Sequence, residues 1–144
     1  MTIILENKIS RIDYFVEVAK LTARRSSCHK KQVGGVLVSE GRIIATGYNG
    51  VLPNNDPALG IDELGITHTV HCEANIIAFC AKNGIPTNNT TMYVTLSPCE
   101  KCAELIVQAG IKTVFYIEDY RDDSGLRKLL MNNVEVDIII PSEL

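Results

Sequence analysis

The sequence predicts an α/β domain of three layers, with helices on both faces of one mixed five-stranded sheet. From residue 91 onward the chain alternates strand, helix, strand, helix, strand, an order that implies parallel pairing. Before that stretch, two β-rich runs are separated only by Glu40-Gly41, a break suited to an antiparallel hairpin at the start of the sheet. The length of 144 residues, 46% of them hydrophobic and 22% charged, suits one core. No repeat, low-complexity stretch or linker divides it, so residues 1–144 read as a single domain.

The elements follow in order. Between Lys8 and Arg25, Ile9, Ile12, Phe15, Val16, Ala19 and Leu21 recur at helical spacing among Arg11, Asp13, Glu17 and Lys20, which predicts an amphipathic helix. Gln32 to Ser39 and Arg42 to Tyr48 are the hairpin strands. Asn49 to Thr69 is rich in Asn, Pro and Gly and reads as a loop. His71 to Lys82 is apolar nearly all round and stops at Asn83-Gly84, which predicts a buried helix. Thr91 to Leu96 is a strand. Pro98 to Ala109 is a helix, with proline in its first turn and Gly110 behind it. Lys112 to Ile117, Ser124 to Met131 and Val134 to Ile140 complete the alternation as strand, helix and strand.

Composition excludes several classes. The run Asp137-Ile-Ile-Ile140 is strand-sized, and no apolar stretch approaches the ~20 residues of a membrane span. Residues 1–8 lack the charged region and cleavage site of a secretory signal. The formal net charge of -3 provides no global field toward nucleic acid or anionic membrane. One local exception exists: Arg24, Arg25, Lys30 and Lys31 place four of the 14 basic residues within eight positions. The five cysteines, Cys28, Cys72, Cys80, Cys99 and Cys102, are an odd number, which argues against a disulfide framework and for a reducing, cytoplasmic setting. Cys80 is most simply core packing.

Two segments carry chemistry: His71-Cys72-Glu73 and Ser97-Pro98-Cys99-Glu100-Lys101-Cys102. Cys99 and Cys102 are three apart at a helix start, so their thiols face one side. The positive end of the helix favours thiolates there and suits them to a cation. His71 opens a second helix. One histidine and two cysteines make three ligands, and three ligands leave zinc an open position for water, the mark of a catalytic site. Zinc lowers the pKa of such a water to ~7, and Glu73, two residues from His71, is placed to move protons. A Cys-x-x-Cys pair alone fits a structural zinc knuckle or a redox pair, and His-x-Glu alone is commonly a coincidence. The two together form the pattern general to zinc deaminases.

From Leu21 to Val136 the chain resembles the deoxycytidylate (dCMP) deaminases of the cytidine-deaminase-like zinc superfamily. The resemblance rests on Ala23-Arg-Arg-Ser-Ser-Cys28, Gln32-Val-Gly-Gly-Val36, Gly47-Tyr-Asn-Gly50 with Pro53 following, the two zinc segments, and Tyr120-Arg-Asp122. It implies the cytidine-deaminase-like α/β/α fold and one catalytic Zn2+ on His71, Cys99 and Cys102. It also implies hydrolytic attack at C4 of cytosine, with Glu73 carrying protons to N3 and to departing ammonia, giving dUMP for thymidylate synthesis.

Asn49 falls where the family binds the sugar, and Arg25 and Ser26 fall where it contacts the 5′-phosphate. Tyr120 and Arg121 lie past the carboxyl end of a parallel strand, where ligands of open α/β sheets bind. Each has a plainer reading beside it: Asn49 as a turn residue, Arg25 as a solvated helix end. Cys72 stands where the superfamily usually has alanine; its backbone N–H suits the pyrimidine O2, and its thiol is a spare soft ligand. Some relatives hold a second, structural zinc, but the loop before Cys72 offers Asn54, Asn55 and Asp56 and no cysteine, so of such a set only Cys28, His29 and His68 stand in this chain. One zinc per chain is the expectation.

The resemblance further implies a homo-oligomer, often a hexamer, activated by dCTP with Mg2+ and inhibited by dTTP, acting in the cytoplasm of a bacterium or of a virus's host. The net charge of -3 and the small extent of the basic cluster predict no nucleic acid polymer and no membrane as partner. Two other readings use the same residues. One is a deaminase of a nucleoside, guanine or tRNA adenosine; the other is a non-catalytic, zinc-stabilised nucleotide-binding module, which would not need Glu73.

Overall fold

The computed structural model describes residues 7–28, 30–52 and 69–140. Most of the predicted loop, with Pro53 and His68, lies outside the described residues, as does His29. The elements are α1 (Arg11–Ala23), β1 (Gly34–Ser39), β2 (Arg42–Tyr48), α2 (Cys72–Lys82), β3 (Thr91–Leu96), α3 (Glu100–Gln108), β4 (Thr113–Glu118), α4 (Ser124–Met131) and β5 (Glu135–Ile138). They form one sheet in the order β2-β1-β3-β4-β5. β1 runs antiparallel to both β2 and β3, whereas β3, β4 and β5 are parallel. The mixed five-stranded sheet with its leading hairpin is as expected.

Strand alternation divides the core into two layers. Val36, Val38 and Tyr93 face α1 and meet Phe15, Val16 and Ala19. Leu37, Met92, Val94 and Val114 face the other way and pack with Ile76 of α2, Ala103 and Ile106 of α3, and Leu129 of α4. α3 and α4 are crossovers between successive parallel strands taken in one direction across the sheet, so their common right-handedness puts both on one face.

Local chemistry accounts for the boundaries. Ser10 caps α1 by accepting Asp13 N–H at 3.0 Å, so that helix starts later than the hydrophobic pattern suggested. The hairpin closes through Glu40 and Gly41, both at positive φ (51° and 77°), as a two-residue turn of this hand requires. Gly34 is a close approach: a Cβ there would strike the Ala19 carbonyl and the Ala23 backbone, so α1 lies directly on β1.

Two expectations about faces are corrected. α1 buries Phe15, Val16, Ala19 and Ala23, whereas Ile9, Ile12 and Leu21 are exposed. The helix meets the sheet along one narrow stripe, and Leu21 points away from it. α2 is buried on one side only, through Cys72, Glu73, Ile76 and Cys80. Its outer side, with Ala78, Phe79 and Ala81, is exposed in the single chain. No described helix is long and apolar enough to cross a membrane.

The register decides where the chain ends meet. Gly35 pairs with Val94 and Gly34 with Tyr48, so the start of β1 lies beside the ends of β3 and β2. Gly34 N–H also donates to Thr95 Oγ1 at 3.1 Å. One end of the sheet therefore gathers residues 31–33, Asn49, the loop from Ser97 to Cys99, and the chain leaving β4.

Candidate active site

His71 and Cys99 occupy equivalent places, each the N-cap residue of its helix, with extended backbone and no side-chain cap bond. Their side chains are turned toward one another instead. His71 Nδ1 lies 3.5 Å from Cys99 Sγ and 3.4 Å from Cys102 Sγ. All three ligand atoms fall within 4.8 Å of each other, the one such cluster of metal-binding side chains among the described residues.

The electrostatics fit a cation. Hydrogen bonding with Cys102 and with His71 holds the Cys99 thiol below the usual thiol range. The same bond keeps the proton on Cys102, whose thiol is pushed well up. Hydrogen bonding to Cys99 likewise raises His71. A divalent ion would replace those shared protons, and one imidazole with two thiolates is a donor set zinc favours. The residues present fit the metal.

Glu73 sits in the first turn of α2, 5% exposed. Burial pushes its carboxyl up to about 7, opposed by its own backbone N–H and by His71. It shares a cavity of about 310 Å³ with His71 and Cys99, whose other walls include Asn49, Ser97 and Tyr120. Ser97 ties the metal loop to the β4 exit: its N–H donates to the Glu118 carbonyl at 2.9 Å, and its hydroxyl accepts Tyr120 N–H at 2.7 Å. Nothing in a Ser-Pro dipeptide announces a contact 23 residues away, so this role of Ser97 is not legible in the sequence.

The expected substrate contacts divide. Asn49, Cys72 and Tyr120 line the cavity. Asn49 also organises it, since Oδ1 accepts Val33 N–H at 2.8 Å and Nδ2 donates to the Lys31 carbonyl at 2.7 Å. The turn and site readings of Asn49 are thus compatible. Arg25, Ser26 and Arg121 are not among the residues lining the cavity; Arg25 and Arg121 are exposed. Ser26 is buried, and its one hydroxyl hydrogen goes to the Asn49 carbonyl at 2.7 Å, which leaves no donor for a phosphate oxygen. Lys30 and Lys31, from the same basic cluster, line the cavity instead.

The Cys72 thiol is no spare ligand. It is 1% exposed and donates to the Gly47 carbonyl at 3.3 Å, and burial raises its pKa well above the usual thiol value. It binds α2 to β2 beneath the site.

Fold and site together define a zinc-dependent deaminase, built on an α/β/α sandwich with its ligands at two converging helix starts. The family model described as the cytidine and deoxycytidylate deaminase zinc-binding region matches residues 9–118, and the chain belongs to that family. It is 38% identical over 144 residues to ComE operon protein 2 of Bacillus subtilis, spanning 92% of this chain and 76% of that protein. Human deoxycytidylate deaminase is 40% identical over 120 residues, 78% of this chain and 67% of that protein. Among solved structures, the dCMP deaminase of cyanophage S-TIM5 in complex with dCMP and dUMP superposes with a TM-score of 0.83. It is 29% identical, over 92% of this chain and 98% of that one.

Proposed function

We propose that this chain hydrolyses dCMP to dUMP and ammonia, with Glu73 as proton carrier. The observation that carries the reading is the placement of buried Glu73 on the wall of the cavity that also holds the His71–Cys99–Cys102 triangle. The names of the relatives support the choice of substrate. Zinc held by the triangle supplies, when bound, a water that loses its proton near neutral pH. Glu73 would take that proton and pass it to N3 of the ring as oxygen adds at C4. It would then carry the second proton, from the new C4 hydroxyl, to the amine, so that the C4 carbonyl forms as ammonia leaves. A carboxyl held near 7 suits both directions of transfer.

Cys72 is the first residue of α2, so its N–H has no partner within the helix and is available to the pyrimidine O2. Asn49 commits one of its two amide hydrogens to Lys31 and offers the other to the sugar. Tyr120 closes the wall beyond. The exposed apolar side of α2 supports homo-oligomerisation, and the five free thiols support a reducing cytoplasm. Control by dCTP with Mg2+ and by dTTP rests on the family alone. Ammonia release from dCMP, deoxycytidine, guanine and adenosine in a tRNA anticodon stem tests the substrate. Faster release from dCMP is expected, and none from dCMP rejects the reading.

A further inference from the structure

The cavity of the deaminase is lined by two basic residues that nothing above employs, Lys30 and Lys31, and Lys31 forms an ion pair. Lys31 lies in the segment before β1, its carbonyl pinned by Asn49 Nδ2 at 2.7 Å. Its Nζ is drawn to Glu118 at the end of β4, with both carboxylate oxygens at 2.8–2.9 Å, although 87 positions separate the pair. Lys31 lines the cavity and Glu118 does not. Glu118 also stands two residues before Tyr120, and its backbone carbonyl is held by Ser97.

We propose that Lys31 reads the 5′-phosphate of the substrate, and that Glu118 holds it in reserve until a phosphate arrives. This rests on the dCMP reading and deepens it. Lys31 and Glu118 are each about half exposed, so their ion pair is worth little and is given up readily. A phosphate monoester carries close to two negative charges and three acceptor oxygens, and so outcompetes a single carboxylate for an ammonium. The backbone bond from Asn49 keeps Lys31 beside the place offered to the sugar while its head moves. Arg25, exposed at the end of α1, does not line the cavity. Glu118 discriminates in turn: it repels an unpaired anion and releases only to one that takes its lysine.

The test compares wild type, Lys31→Gln, Lys31→Arg and Glu118→Gln, all zinc-loaded, on dCMP and deoxycytidine, with dUMP and deoxyuridine binding measured by calorimetry. Lys31→Gln should raise the KM for dCMP and weaken dUMP binding by roughly 10- to 100-fold, the range of one charge-assisted contact. It should leave kcat and the deoxyuridine affinity within about twofold, and Lys31→Arg should recover most of the loss. Glu118→Gln should shift dCMP the opposite way, lowering KM by up to about threefold, because Lys31 is then unpaired in the free protein. A brace that merely shaped the β4 exit would give equal losses for both variants on both substrates, and that result overturns the proposal, as does an unchanged dCMP KM in Lys31→Gln. Should Lys31→Gln fail to fold, the sign of the Glu118→Gln shift decides. A wild-type protein that prefers deoxycytidine to dCMP shows, before any variant is made, that the substrate reading has failed and this proposal with it.

Discussion

His71 Nδ1 lies 3.4 Å from Cys102 Sγ, although 31 positions of sequence separate the two residues. The contact brings the positive ends of α2 and α3 together over two thiols and an imidazole. Two helix starts pointing at one place favour thiolate over thiol there, and a bound cation then ties the helices to each other.

Metal analysis should therefore find one zinc per chain, lost in a Cys99→Ala/Cys102→Ala double variant. Zinc binds the folded site, so its removal by a chelator should also lower the Tm in a calorimetric scan. Zinc retained at full occupancy by the double variant would place the metal elsewhere.

Glu73→Gln keeps the shape of the side chain and removes its capacity to carry protons. It should retain zinc and bind dUMP while turnover of dCMP falls by at least ~10²-fold, the low end for a lost general acid–base group. Stopped-assay ammonia release alongside metal content separates this from loss of the site.

Cys72→Ala removes a thiol bonded to the Gly47 carbonyl inside the core. Loss of that bond and of the packed sulfur should cost about 1–2 kcal/mol in urea unfolding. Zinc content and turnover should change little, whereas a fall in zinc would make the thiol a ligand after all.

Gly125, near the start of α4, touches the metal loop so closely that a Cβ would collide with the Pro98 carbonyl and the Cys99 backbone. Both obstacles are main chain and cannot rotate away. Gly125→Ala should lower stability by about 1–3 kcal/mol and loosen zinc binding, read by competition with a chromogenic chelator.

Arg25→Ala should alter the KM for dCMP by less than about threefold, a surface-scale effect. A loss as large as that of Lys31→Gln would return the phosphate to the end of α1.

Much was legible locally. β2, β3 and α4 have the limits their residue patterns predict, because strand alternation and turn chemistry act over a few positions. The triangle of His71, Cys99 and Cys102 could be read for the same reason: each half of it is a short-range pattern at a helix start. What those halves share is a place, and the tertiary structure alone supplied it.

The β1–β3 register sets the start of β1 against the end of β3, and so brings Lys31 and Asn49 to the rim of the metal site. Tight packing of α1 over Gly34 turns Arg25 outward, while Ser26 spends its only donor on Asn49. The sequence by itself determined the fold class and both halves of the His71–Cys99–Cys102 cluster. That Lys30 and Lys31 line the cavity while Arg25 does not, and that Lys31 pairs with Glu118 across 87 positions, is set by strand order and register, which leave no mark on a residue's neighbours in the chain.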